Sequence, residues 1–208
     1  MTFREMTLRP LLVLALLAAT TPAFADDIAC TGPLGPDSSE AQLIATFGKD
    51  NVVTAEVDGP EGSTLLTTTV FPNDPDKTFR VGWWDEPNRK FLNYFTVPAR
   101  DTAPGGLRVG QTIAEVEQLN GGPFYLYGFY WDYGGIATFE NGPLSKLPGD
   151  CFVNLTFNPT RELPPDVDPD PVSGDKQIAS TEPLLERLAP TVSEVMISFG
   201  DPNARNTD

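Results

Sequence analysis

The chain has 208 residues, with 14 lysines and arginines against 29 aspartates and glutamates, no histidine and a net charge of −15. That acidity disfavours nucleic acid, whose phosphates demand a basic surface, and it disfavours adhesion to anionic lipid. The missing histidine removes Ser-His-Asp and Cys-His catalysis and most zinc catalysis, and no Gly-rich phosphate loop is present.

Arg4 and Arg9 ahead of the apolar run Leu11–Ala19, with Ala23-Phe24-Ala25 as a small-x-small site, predict a signal peptide over 1–25. Cleavage before Asp26 would remove Arg4, Arg9 and Glu5, leaving 183 residues with 12 basic and 28 acidic side chains, a net of −16. The apolar run is shorter than the roughly 20 residues a membrane span needs. Asp27 stands where a lipid-attachment box needs an aliphatic residue, so lipidation at Cys30 is not expected. The expectation is an exported chain, periplasmic or extracellular, with no membrane insertion after cleavage. In such a compartment Cys30 and Cys151 read as one disulfide closing a long loop.

Asp37 to Gly48 reads as a helix, with Ala41, Ile44, Ala45 and Phe47 at helical spacing. Strands follow at Asn51–Val57, Thr64–Phe71, Thr78–Asp85 and Phe91–Val97, separated by turn-forming Gly, Pro, Asn and Asp clusters. After a break over Pro98–Gly106 the pattern restarts. Thr112 with Glu115 forms a capping box, and Ile113, Val116 and Leu119 mark a second helix that stops at Asn120-Gly121-Gly122. Strands are expected at Phe124–Tyr133, Ile136–Glu140 and Phe152–Asn158. The restart reads as a repeat at an offset of 72, matching Ile44, Phe47 and Gly48 with Val116, Leu119 and Asn120.

Residues 159–179 are rich in Pro and Asp and read as a solvated linker or an extended wrap. A helix over Ser180–Leu188, capped by Ser180 or Thr181, and a strand over Val192–Phe199 follow. Residues 200–208 form a terminal tail expected to fray. The predicted fold is α+β: two tandem helix-plus-antiparallel-sheet units, about 37–97 and 107–158, form a two-layer sandwich, and a C-terminal strand is added.

Asp166, Asp168 and Asp170 resemble the start of a calcium loop. Pro171 and Gln177 stand where that loop needs Gly and Glu, so no metal site is expected. No cofactor is implied. The segment Gly121–Gly135 holds seven aromatics in fifteen residues. On one unbroken strand, Tyr125, Tyr127, Phe129, Trp131 and Tyr133 share a face, although a bulge at Gly128 would reset the alternation. Phe79, Val81 and Trp83 share a face opposite Arg80, Gly82 and Trp84.

Val109-Gly110-Gln111-Thr112, Val116 and Leu119-Asn120-Gly121-Gly122-Pro123 resemble the helix start and glycine-proline exit of the SmpA/OmlA family and of the tandem-repeat β-lactamase inhibitory protein family. Glu40, Ile44 and Phe47-Gly48 carry the weaker match of the first unit. The resemblance implies a concave, aromatic-rich sheet gripping a partner protein, with Trp83, Trp84, Tyr127 and Trp131 as contacts. The chain also resembles an exported bacterial family marked by Trp-Asp-Tyr-Gly-Gly, which implies no activity. The expected function is a non-catalytic module holding a protein, peptide or envelope partner on aromatics. The alternatives are a carboxylate-dependent enzyme on envelope carbohydrate, drawing on such pairs as Asp85 with Glu86 or Asp132 with Glu140, and a purely structural envelope protein.

Overall fold

The computed structural model describes residues 28–204. The predicted signal peptide and the last four residues lie outside them. The nine strands are β1 (Val52–Asp58), β2 (Thr64–Val70), β3 (Phe79–Asp85), β4 (Lys90–Thr96), β5 (Tyr125–Tyr127), β6 (Ile136–Thr138), β7 (Cys151–Asn158), β8 (Gln177–Ala179) and β9 (Thr191–Phe199). The helices are α1 (Glu40–Phe47), α2 (Ile113–Asn120) and α3 (Pro183–Leu188). All nine strands form one antiparallel sheet in the order β1-β2-β3-β4-β9-β7-β6-β5-β8. The fold is α+β, as the alternation of periodicities predicts.

The helix boundaries follow from their caps. Gln42 accepts from the Ser39 backbone N–H at 2.9 Å, and Gly48 ends α1 at φ 90°. In α2 the Glu115 carboxylate accepts from the Thr112 N–H at 2.8 Å, and the Thr112 hydroxyl accepts from the Glu115 N–H. Gly121, at φ 74°, closes the helix in the left-handed region. The two helix starts, Ser39 and Thr112, lie 73 positions apart, one more than the letter-by-letter offset suggests. The bonds from the Thr112 backbone and hydroxyl hold the Glu115 carboxyl below its ordinary value. A carboxyl depressed in the fold supports it at neutral pH, and that support is lost as pH falls through the lowered value. Replacing Thr112 with Ala should cost about 1 kcal/mol, read as a lower urea midpoint at unchanged slope.

α3 departs from expectation at its start. Its N-cap is Glu182, whose carboxylate accepts from the Leu184 N–H at 3.2 Å, rather than Ser180 or Thr181. The Ser180 hydroxyl is used elsewhere: it accepts from the Phe124 N–H at 3.0 Å and donates to Glu117 at 2.6 Å. Pro183 occupies the first turn as expected.

The C-terminal strand joins the sheet as expected, and it does so in the middle, where β9 lies between β4 and β7. It is antiparallel to both, so β4 and β7 run parallel to each other, and β9 is the strand that lets the sheet stay antiparallel across the junction. Each meander would otherwise end on an open row of backbone donors and acceptors. On the packed side of this junction Val195, Ile197 and Phe199 meet Leu155, Val153 and Cys151, and all six are buried.

The expected ten-residue strand Phe124–Tyr133 is only Tyr125–Tyr127. At Gly128 the chain turns to bond the incoming 172–176 segment: Gly128 N–H donates to Lys176 O and Phe129 N–H to Val172 O. A Cβ on Gly128 would lie 2.7 Å from the Gly174 carbonyl, so this approach requires glycine. The Pro- and Asp-rich segment is therefore an anchored wrap, pinned by the buried Val172, and its end forms edge strand β8. The Cys30–Cys151 disulfide is present, with both cysteines buried. It ties the start of the described chain to the first residue of β7.

Candidate functional site

One face of the sheet is packed and the other is open. The registers define the open face row by row. One row crosses all nine strands: Val53, Thr69, Arg80, Thr96, Met196, Asn154, Thr138, Tyr125 and Ala179. At about 4.8 Å per strand this row extends roughly 40 Å. A second row carries Gly82, Tyr94, Ser198 and Phe152. A third carries Ile136, Thr156 and Glu194. Along each strand these alternate with buried residues, such as Val153, Leu155, Ile197, Phe95 and Val81.

The aromatic side chains that reach solvent on this face are Tyr125, Phe152 and Trp84, exposed by 58%, 52% and 39%. Tyr94 is half-buried because its ring lies over Gly82, where a Cβ would come within 2.2 Å of it. The face carries one ion pair, Arg80 with Glu194. The exposed Glu140 lies with Tyr125 and Thr138 at one corner, and Val53, Val57 and Leu65 are exposed at the β1–β2 end.

The four residues expected to make contacts are not gathered in one place. Trp83 is a core residue, 3% exposed, so its ring is not a surface contact. Alternation groups it with Phe79 and Val81 as predicted, but that side of β3 is the packed one. A register shift after Gly82 sets Trp83 opposite the buried Leu92. Its indole N–H donates to the Thr68 hydroxyl at 2.9 Å. From there hydrogen bonds continue through Thr54 to Glu40, which also pairs with Arg89. Trp83 is thus tied to the start of α1.

Trp84 stays on the open side. It reaches across β4 to donate its indole N–H to the Phe199 carbonyl at 3.1 Å. Tyr127 and Trp131 are half-buried and meet edge-to-face at 5.9 Å, with Tyr133 5.3 Å beyond. The Trp131 N–H donates to Gly128 O at 2.8 Å. Five strand steps, about 24 Å, separate Tyr127 from Trp84.

Phe152 and Tyr94 are the residues sequence reasoning missed. A signal for Phe152 exists in β7, where Cys151, Val153, Leu155 and Phe157 claim the packed side and leave Phe152 with Asn154 and Thr156. Tyr94 has no such signal, because its position depends on the glycine opposite it.

Among the described residues no group of three His, Cys, Asp or Glu side chains is placed to hold a metal ion, and no helix is long and apolar enough to cross a membrane. No protein-family model, curated protein or solved structure matches the chain.

Proposed function

We propose that the protein is an exported, non-catalytic binding module that holds a partner on the open face of its sheet. The observation that carries this reading is the placement of Tyr125, Phe152 and Trp84 on one uncovered face opposite a fully packed one. Large aromatics bury much area with few rotors, which suits contact anchors. Export is supported by the disulfide, which forms and persists in oxidising compartments. The contacts on this reading are Trp84, Tyr94, Tyr125 and Phe152, with the Tyr127–Trp131 cluster as a flank.

Immobilised protein should retain a component of a periplasmic extract that Trp84→Ala/Phe152→Ala protein does not retain. The double variant should unfold cooperatively near the parent temperature, because surface substitutions usually change stability by about 0.5 kcal/mol or less each. Undiminished retention by the double variant sinks the assignment of this face.

A further inference from the structure

The sheet ends at β1, and the outer edge of that strand is bare. Just beyond the β1–β2 ladder, Phe71 N–H donates to Asn51 O and Gly59 N–H to Ser63 O, each at 2.7 Å. Antiparallel pairs alternate between bonded and non-bonded, so this phase gives the backbone bonds of Val53, Ala55 and Val57 to β2. The N–H and C=O groups of Thr54, Glu56 and Asp58 then point away from the sheet, and among the described residues no backbone group meets them. A seven-residue edge with no proline or lysine is a template for another strand.

The side chains beside this edge are apolar. Val53, Ala55 and Val57 share one side of β1 with Leu65 of β2, and all four are exposed. β3 pairs only with Thr68–Val70, so Glu56–Asp58 and Thr64–Leu66 form a two-stranded ribbon beyond it. Such a ribbon is marginal in water without a further strand.

We propose that β1 pairs antiparallel with β1 of a second copy of the chain, about a two-fold axis at Ala55. The whole strand, Val52-Val53-Thr54-Ala55-Glu56-Val57-Asp58, then meets itself. Thr54 and Glu56 of each copy exchange backbone bonds across the edge, and Asp58 N–H reaches the Val52 carbonyl. Val52 N–H is already bonded to Lys49 O. On the exposed side Val53 lies opposite Val57, and Ala55 opposite Ala55, in the non-bonded pairs where side chains come closest. Glu56 faces Thr54 and Asp58 faces Val52, so no two carboxylates are directly opposed. Moving the axis to Glu56 would set that carboxylate against its own copy, and moving it to Thr54 would take Val57 off Val53. Lys49, which makes no ion pair among the described residues, comes with Asp50 to the Asp58–Glu61 end of the other copy. The pairing is a small, isologous interface. The net negative charge of each chain opposes it at long range, and salt removes that opposition.

Sedimentation equilibrium of the mature chain from about 1 µM to about 1 mM, in about 300 mM salt where charges are screened within roughly 6 Å, tests this. The parent should form dimers with a dissociation constant of about 10–100 µM. Glu56→Pro removes only an outward N–H, which an edge strand tolerates, and should weaken the dimer about tenfold or more. Its melting temperature should stay within about 2 °C of the parent's. Ala55→Cys fixes the register. Paired Cα atoms about 4.5 Å apart are within disulfide reach, so this variant should cross-link on oxidation. Val53→Cys should not, because its copies lie about 13 Å apart. A parent that stays monomeric to about 1 mM overturns the inference. So does a dimer that Glu56→Pro leaves intact, or one in which Ala55→Cys does not cross-link. A monomeric parent whose partner from the extract is lost with Glu56→Pro would give the edge to an extended segment of another protein instead. The test is separate from that of the open face, since Glu56→Pro leaves Trp84 and Phe152 in place.

Discussion

A chain ending at Pro190, lacking β9, is expected not to fold at all. β9 supplies the pairing edge for Tyr94–Thr96 on one side and for Cys151–Asn158 on the other. Its Val192, Val195, Ile197 and Phe199 are all buried. Each such side chain contributes about 1.5–3 kcal/mol, so four contribute roughly 6–12 kcal/mol before any hydrogen bond is counted. A domain's whole stability is about 5–15 kcal/mol. The two meanders would also expose two inner strand edges, which invites aggregation. The check is circular dichroism with thermal unfolding of the truncated mature chain. No cooperative transition is expected. A transition retained near the parent temperature would mean that the two halves of the sheet stand alone, as they would if the strand were an edge addition.

Loss of the Cys30–Cys151 bridge should be the next largest effect. The two cysteines are 121 positions apart, and chain entropy over such a loop corresponds to about 4–5 kcal/mol. For a domain of this size that is a fall of roughly 10–20 °C in melting temperature. The local structure compounds it. Cys151 pairs with Phe199 in the central junction, and the Cys30 Cβ sits about 3.0 Å from where a Cβ on Gly149 would be. The segment carrying Cys30 is otherwise held by such bonds as Ile28 N–H to Thr102 O at 2.9 Å. Cys30→Ser/Cys151→Ser protein should melt lower by that amount in a calorimeter, and reductant should reproduce the shift in the parent. A melting temperature within about 2 °C of the parent would show that the bridge constrains nothing the fold does not already fix.

The two helices, their caps and the first four strands were legible because their signals are local. Thr112 and Glu115 define a helix start through two hydrogen bonds three residues apart, and Gly121 defines its end through a backbone angle. Strand order was not legible. The alternation in Thr191–Phe199 assigns side chains to faces but names no neighbours, and the central position of β9 arises from two edges formed more than thirty residues earlier. Trp83 and Trp84 show the same limit. Period two separates them, yet nothing in β3 says which side meets α1, and that choice turned Trp83 into core and left Trp84 outside. The aromatic run between Gly121 and Gly135 split where glycine allowed it. Tyr125 stayed on the open face and Phe129 turned into the core, because the 172–176 segment claims the backbone at Gly128.

The measurement that bears most directly on the open face is partner binding by Phe152→Glu protein. The substitution places a charge near the centre of the face, opposite Ser198, at a position already 52% exposed. Retention of the extract component held by parent protein should fall about a hundredfold, with the melting temperature unchanged within about 2 °C. Binding as tight as the parent's, in a variant that folds normally, would contradict the assignment of function to this face.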